Sequence, residues 1–334
     1  MKIIKVSTAP SINNKLLLRQ LPGVEGVFSD YKFIVNDHVA KCDWWFILHG
    51  SALIETEECI CDPNHIVYVS MEPTEVMSKV SNNFLNQFSH LVLCDRNINH
   101  PSIIYENWLT WWVGINISKI RGKHLIKNHS INYDDFVEME PMEKINKLSI
   151  VFSSKSFSDG HIKRINFINK LIKSPISKYI DVYGDGYTPL TDKWNAIAQY
   201  KYHLVIENSK IQNYWSEKLA DSFLGFSLPI YYGCPNILDY FSKDSIVVID
   251  IDNIEESIKS IKNAIEKNLY DKKVKSINIA RTQILNEYNI FTLMTNMAIS
   301  KGSDFKNIKL QTNFFFVDSW IKKIARYFLN KISK

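Results

Sequence analysis

Short apolar runs separated by polar stretches recur along the whole chain. Trp45-Phe46-Ile47-Leu48, His65-Ile66-Val67-Tyr68-Val69 and Leu91-Val92-Leu93 are too short for helices. They predict strands buried on both faces, as in a parallel sheet. The opening Met1-Lys2-Ile3-Ile4-Lys5-Val6 reads as a first buried strand, turning polar too soon for a secretory signal. Glu75 to Phe88 predicts a helix between two of these strands. From residue 148 the rhythm resumes, with Leu148–Phe152 as strand and Gly160–Lys173 as helix. Ile180–Tyr183 and Tyr202–Ile206 follow as strands, Glu217–Leu224 as helix, and Pro229–Tyr232 and Ile246–Ile249 as strands. Alternating β and α units in both halves predict two Rossmann-like α/β domains facing a cleft. The stretch from Lys119 to Asn146, with Gly122, Pro141 and mixed charges, reads as the linker. The expected division is 1–145, 146–300 and a tail of 301–334.

The length of 334 residues suits two domains, and no run of about 18 apolar residues predicts a membrane span. Charge is uneven. Residues 301–334 carry eight Lys/Arg against Asp304 and Asp318, a surplus of six, so the remainder of a +5 chain nets −1. From Phe314 onward, Val317, Trp320, Ile321, Ile324, Tyr327, Phe328 and Ile332 recur at helical spacing. The tail therefore reads as a basic amphipathic helix suited to an anionic membrane surface, not to nucleic acid. Cys42, Cys59, Cys61, Cys94 and Cys234 are odd in number and form no CxxC pair, the pattern of reduced thiols in a cytosol.

The richest stretch runs Tyr200-Lys201-Tyr202-His203-Leu204-Val205-Ile206-Glu207-Asn208-Ser209, then Asn213-Tyr214-Trp215-Ser216-Glu217-Lys218-Leu219. A buried strand ends in Glu-Asn-Ser, and Ser-Glu-Lys opens a helix. Strand carboxyl ends bind ligands in open α/β sheets, and a helix N-terminus beside a lysine suits a phosphate. Taken alone, Ser216 is as well explained as a helix cap, with Glu217 favouring the dipole and Lys218 solvated.

Continued through Leu228-Pro229-Ile230-Tyr231-Tyr232-Gly233-Cys234-Pro235-Asn236, the stretch resembles the donor-binding signature of the α1,3/4-fucosyltransferases, glycosyltransferase family ten. Arg164, Phe167 and Leu171, followed by Ile180-Asp181-Val182-Tyr183-Gly184, fall where that family places an arginine-bearing helix and a strand end. The resemblance covers about residues 148–250. It implies a GT-B fold, acceptor domain first, and inverting transfer of fucose from GDP-fucose to a glycan hydroxyl of α1,3 type in surface polysaccharide or lipopolysaccharide. It implies that no cofactor or metal is required. Arg164 and Lys218 would hold the diphosphate, and Asn208 and Glu217 ribose or fucose hydroxyls. Glu207, Ser209, Tyr214 and Ser216 would complete the donor site. Ser216 stands where threonine is usual, and Trp215 where a smaller residue is usual. The acceptor base would be Glu72, in Ser70-Met71-Glu72-Pro73, with Glu75 its competitor. The partners implied are a nucleotide sugar, a glycan acceptor that includes lipid-linked forms, and an anionic membrane, at the cytoplasmic face of the cell membrane. The alternatives are another nucleotide sugar as donor and a non-catalytic relative that binds glycan or nucleotide.

Other features are weighed as structural. Asp250-Ile251-Asp252 imitates a metal-binding DxD but lies far past the signature, Asp134-Asp135 reads as a solvated loop, and Trp111-Trp112-Val113-Gly114 reads as core. His49 ends a strand and is expected to be structural, and Gly184-Asp185-Gly186 lets backbone approach a donor.

Overall fold

The computed structural model describes residues 1–9, 14–49, 53, 55–73, 80–120, 123–156 and 158–316. The chain divides into two compact units. One comprises Met1–Asn14, Ser29–Tyr105 and the segment beginning at Ala298; the other comprises Lys15–Phe28 and Glu106–Met297.

In the first unit six strands run parallel in the order Tyr31–Val35, Lys2–Thr8, Trp44–Leu48, Ile66–Val69, His90–Val92 and Ile103–Ile104. Trp44–Leu48 is buried at every position, as its unbroken apolar run requires of a strand covered on both faces. Tyr68, Phe84 and Phe88 pack ring against ring beneath the sheet. The expected helix from Glu75 begins in residues outside those described; its described part is a short turn of helix, Asn82–Leu85, capped by Ser81.

In the second unit five parallel strands lie in the order Ile180–Gly184, Ile145–Phe152, Tyr200–Ile206, Leu228–Tyr232 and Val247–Val248. Both sheets thus place the second strand before the first and continue outward from the third. Two Rossmann-like α/β units in one chain is the make-up of the GT-B class, and the α/β expectation holds in each. Helices Ile254–Glu266, Leu269–Asn286 and Ile290–Met297 complete the second unit.

The compact units part company with the expected boundaries: Lys15–Phe28 and the stretch from Glu106 belong to the second unit, and the segment from Ala298 belongs to the first. The stretch read as a linker is built into the second unit: Ile115–Ile120 and Lys123–His129 form a hairpin, and Tyr133–Glu138 is a helix. Asn132 and Asp135 make a reciprocal capping box, and Phe136 is fully buried against Trp111. The Asp134-Asp135 pair is solvated as expected but forms the helix's first turn instead of a loop, and Asp134 accepts a hydrogen bond from the Gly23 amide. At the other end, Lys306–Leu310 pairs antiparallel with Glu57–Cys61, so this part of the basic tail is sheet. The amphipathic segment proper falls almost entirely on 317–334, outside the described residues. Among the described residues no helix is long and apolar enough to cross a membrane.

His203 lies on the central strand of the second unit, buried, with Nδ1 2.8 Å from Ser149 Oγ. Burial first, then the cations of Lys193 and Lys144, pull its pKa down to about 3 from an ordinary 6.5. Between those values the unfolded chain binds a proton that the folded chain refuses. Stability contributed by this group is therefore complete above pH 6.5 and is lost as pH falls, at about 1.4 kcal/mol per pH unit. Urea midpoints measured from pH 7 to pH 4 should fall less steeply in His203→Gln than in wild type. Parallel curves would show that the imidazole is not the titrating group.

Candidate functional site

The order of the second sheet reverses between Ile145–Phe152 and Tyr200–Ile206. Chains leaving two such neighbouring strands diverge, and the crevice outside their carboxyl ends is where open α/β sheets bind ligands. Helix Asp159–Leu171 begins there, with Ser158 as its cap. Gly160 sits so tightly on the end of the 200–206 strand that a Cβ would fall 1.7 Å from the Asn208 carbonyl oxygen. No other residue permits this approach.

The approach brings in Arg164. Its Nη1 donates to Asn208 Oδ1 at 2.7 Å and its Nη2 to the Ser153 carbonyl at 3.2 Å. The guanidinium therefore bridges the ends of the two strands that define the crevice. Burial lowers its pKa and Glu207 opposes the shift; an arginine stays charged throughout.

Glu207 is the hub on the other side. Its carboxylate accepts from the Ser216 amide at 2.8 Å and from Lys218 Nζ at 2.9 Å, and Ser216 Oγ lies 2.7 and 2.9 Å from its two oxygens. Lys218 Nζ also donates to Ser216 Oγ at 2.9 Å. Gly233 closes over the carboxylate's stem: a Cβ there would lie 2.5 Å from Glu207 Cγ. The Glu207 side chain is fully enclosed, and Lys218 keeps a quarter of its side chain exposed. Glu207 is thus a support that holds a cation at the crevice. Lys218 is not the solvated lysine of the plain capping reading, although Ser216 does cap the helix Glu217–Leu224. Burial would lower the Lys218 pKa, but Glu207 and Glu217 raise it on balance, so the ammonium is permanent at neutral pH.

The loop between the strand and this helix is pinned to the Gly233-Cys234-Pro235-Asn236 turn. Asn213 donates its amide to Asn236 Oδ1 at 2.9 Å, and Asn236 Nδ2 donates back to Asn213 Oδ1 at 2.7 Å. Ser209 and Tyr214 are buried in the loop. Trp215 points into the core, packed edge-on against Tyr240, Phe241 and Tyr288. Its bulk is absorbed there, and the side chain is buried.

Two residues of this site escaped the sequence reading. Asp221, fully buried, accepts from the amides of Trp112 and Val113 at 2.9 and 3.1 Å and pairs with Lys193 Nζ at 2.9 Å. Lys193 also lies 3.9 Å from Glu217, which lies 4.0 Å from Lys218. Burial pushes the Glu217 carboxyl up, but Lys218 and Lys193 pull it below the ordinary range. The available signal was a carboxylate inside the mainly apolar run Leu219–Leu224, which burial tolerates only when paired. Its partners come from elsewhere in the sequence and leave no local pattern.

The decoys resolve physically. Asp252 is paired with Lys163 at 3.1 Å, and Asp250 Oδ1 accepts the Asp252 amide. Trp111 is core. Among the described residues no cluster of His, Cys, Asp and Glu is arranged to hold a metal.

In the first unit Glu72 stands just past the carboxyl end of Ile66–Val69, as expected. Its Oε1 lies 3.0 Å from His49 Nε2, and both side chains are about one-third exposed. Glu75 is outside the described residues.

Residues 142–272 match the family model described as glycosyltransferase family 10 (fucosyltransferase) C-terminal domain. The chain is 37% identical over 67 residues to an α-(1,3)-fucosyltransferase of Helicobacter pylori, covering 20% of this chain and 14% of that one. It is 29% identical over 132 residues to a putative fucosyltransferase-like protein of Arabidopsis thaliana, 37% of this chain and 25% of that one. The matched stretches thus span a quarter or less of these relatives' length. A solved α1,3-fucosyltransferase with GDP-fucose aligns over 91% of this chain and 92% of its own, at 18% identity and a TM-score of 0.47.

Proposed function

We propose that this chain, whose residues 142–272 match the glycosyltransferase family 10 (fucosyltransferase) C-terminal model, transfers fucose from GDP-fucose to a glycan hydroxyl with inversion at the anomeric carbon. The observation that carries the reading is the pair of fixed cations at one crevice, Arg164 spanning both strand ends and Lys218 locked on Glu207. A departing nucleoside diphosphate gathers negative charge, and cations already in place stabilise it without having to reorganise. This supports a reaction that requires no metal. Glu217 and Asn208 supply acceptor oxygens suited to sugar hydroxyls.

In this reading the two units act as the halves of a GT-B enzyme. The first carries the acceptor and the base Glu72, and the acceptor is a GlcNAc- or glucose-type sugar of surface polysaccharide, taking fucose in α1,3-type linkage. The basic tail would hold the protein at the cytoplasmic face of an anionic membrane, beside lipid-linked acceptors.

Thermal denaturation with added nucleotides tests the donor assignment, because a ligand bound only to the folded state raises Tm. GDP and GDP-fucose should raise it, with transfer persisting in excess EDTA. Stabilisation by UDP-glucose and not by GDP would replace the donor. Loss of transfer in EDTA with recovery in manganese would overturn the metal-free mechanism.

A further inference from the structure

His49 was expected to be structural, yet its geometry ties it to Glu72. Trp44–Leu48 and Ile66–Val69 are neighbouring parallel strands, and the two residues leave their carboxyl ends side by side. The His49 amide donates to the Val69 carbonyl at 2.7 Å, extending the pairing by one residue. Immediately there the backbone turns: His49 has φ 75°, and Met71, before Glu72, has φ 59°. Each is a non-glycine residue in the left-handed region, at a cost on the order of 1–3 kcal/mol. Ser70 Oγ fixes the second turn, accepting from the Glu72 amide at 3.2 Å and lying 3.2 Å from the Glu72 carbonyl. Two unfavourable turns on adjacent strands thus converge on one contact, Nε2 to Oε1 at 3.0 Å. A surface ion pair needs no such backbone; a carboxylate that must hold one orientation does.

We propose that His49 is the positioning residue of Glu72, a role that rests on Glu72 being the acceptor base. The imidazole donates its Nε2–H to Oε1, which commits that oxygen and turns Oε2 toward the incoming sugar hydroxyl. In the transfer step the acceptor O–H bond breaks and its proton passes to Oε2. The acceptor oxygen bonds to the anomeric carbon, and the bond to the diphosphate breaks with its electron pair leaving on GDP. Proton and charge both balance without any change at His49, which acts only by orientation.

The test is steady-state transfer and GDP affinity in the full chain for His49→Ala, His49→Gln, Glu72→Gln and the double variant His49→Ala/Glu72→Gln. Misorientation of a reacting group costs up to about a hundredfold. His49→Ala should therefore lower kcat by roughly ten- to a hundredfold, with GDP affinity unchanged. His49→Gln, which keeps a donor, should recover most of the loss. In the Glu72→Gln background the same His49→Ala change should cost little more, since no base is left to orient. Normal kcat in His49→Ala beside an inactive Glu72→Gln would overturn the positioning role alone. Equal losses in both backgrounds would show that His49 contacts acceptor or merely supports the fold. Normal turnover in Glu72→Gln would remove the base and the proposal together.

Discussion

Glu72→Gln should lower sugar transfer by roughly 10²–10⁴ while GDP binds as in wild type. The amide keeps the side chain's length and its contact with His49, so folding and orientation survive. It has no basicity, so the acceptor hydroxyl must attack without giving up its proton. The binding half should be blind to the change, because Arg164, Lys218 and Glu207 all belong to the second compact unit and Glu72 to the first. Single-turnover transfer from labelled GDP-fucose and calorimetric GDP titration separate the two effects. If Glu72→Gln turns over normally and Glu75→Gln does not, the base is Glu75. If Glu72→Gln loses GDP affinity as well, the carboxylate is not a base acting apart from the donor site.

Lys218→Met should abolish GDP binding and destabilise the protein. Removing the ammonium strips a buried carboxylate of a charged hydrogen bond, worth about 1.5–3 kcal/mol. The Ser216 amide and hydroxyl still hold the Glu207 carboxylate, which keeps the cost toward the lower end of that range. Replacing both partners, as Glu207→Met/Lys218→Met, removes the orphaned charge and should regain much of the lost stability. GDP binding should stay lost in the double variant, because no cation returns to the crevice. Melting curves report the first effect and calorimetry the second. A double variant that binds GDP like wild type would show that Lys218 serves the fold and not the ligand. A single variant as stable as wild type would show that Glu207 does not depend on its partner.

Much of the fold was legible because parallel strands are apolar without interruption. Trp44–Leu48, Ile66–Val69, Tyr200–Ile206 and Leu228–Tyr232 fall within a residue or two of their sequence-predicted bounds, and Glu217–Leu224 matches at both ends, Ser216 being the cap. The 148–250 signature was legible for the same reason: it strings a strand end, a loop and a helix start in order along the chain. Contacts between distant residues were not. Glu207 reads as one more polar group beside Asn208, and only the packing of Gly233 and the reach of Ser216 and Lys218 show it to be enclosed. Asp221, Lys193 and Gly160 carry no local pattern, since each takes its meaning from a partner on another element. The stretch from Lys119 to Asn146 looked like a linker because it carries Gly122, Pro141 and mixed charges. Phe136 decided otherwise: one buried aromatic ring against Trp111, with a capping box to start its helix, is enough to fix a polar segment to a core. Sequence by itself therefore determined which elements form and which stretch lines the crevice, because hydrophobic period and helix capping are local. Which charges are paired, and with whom, was decided by tertiary structure, because burial in a low-dielectric interior leaves a charge only the partners that folding brings to it.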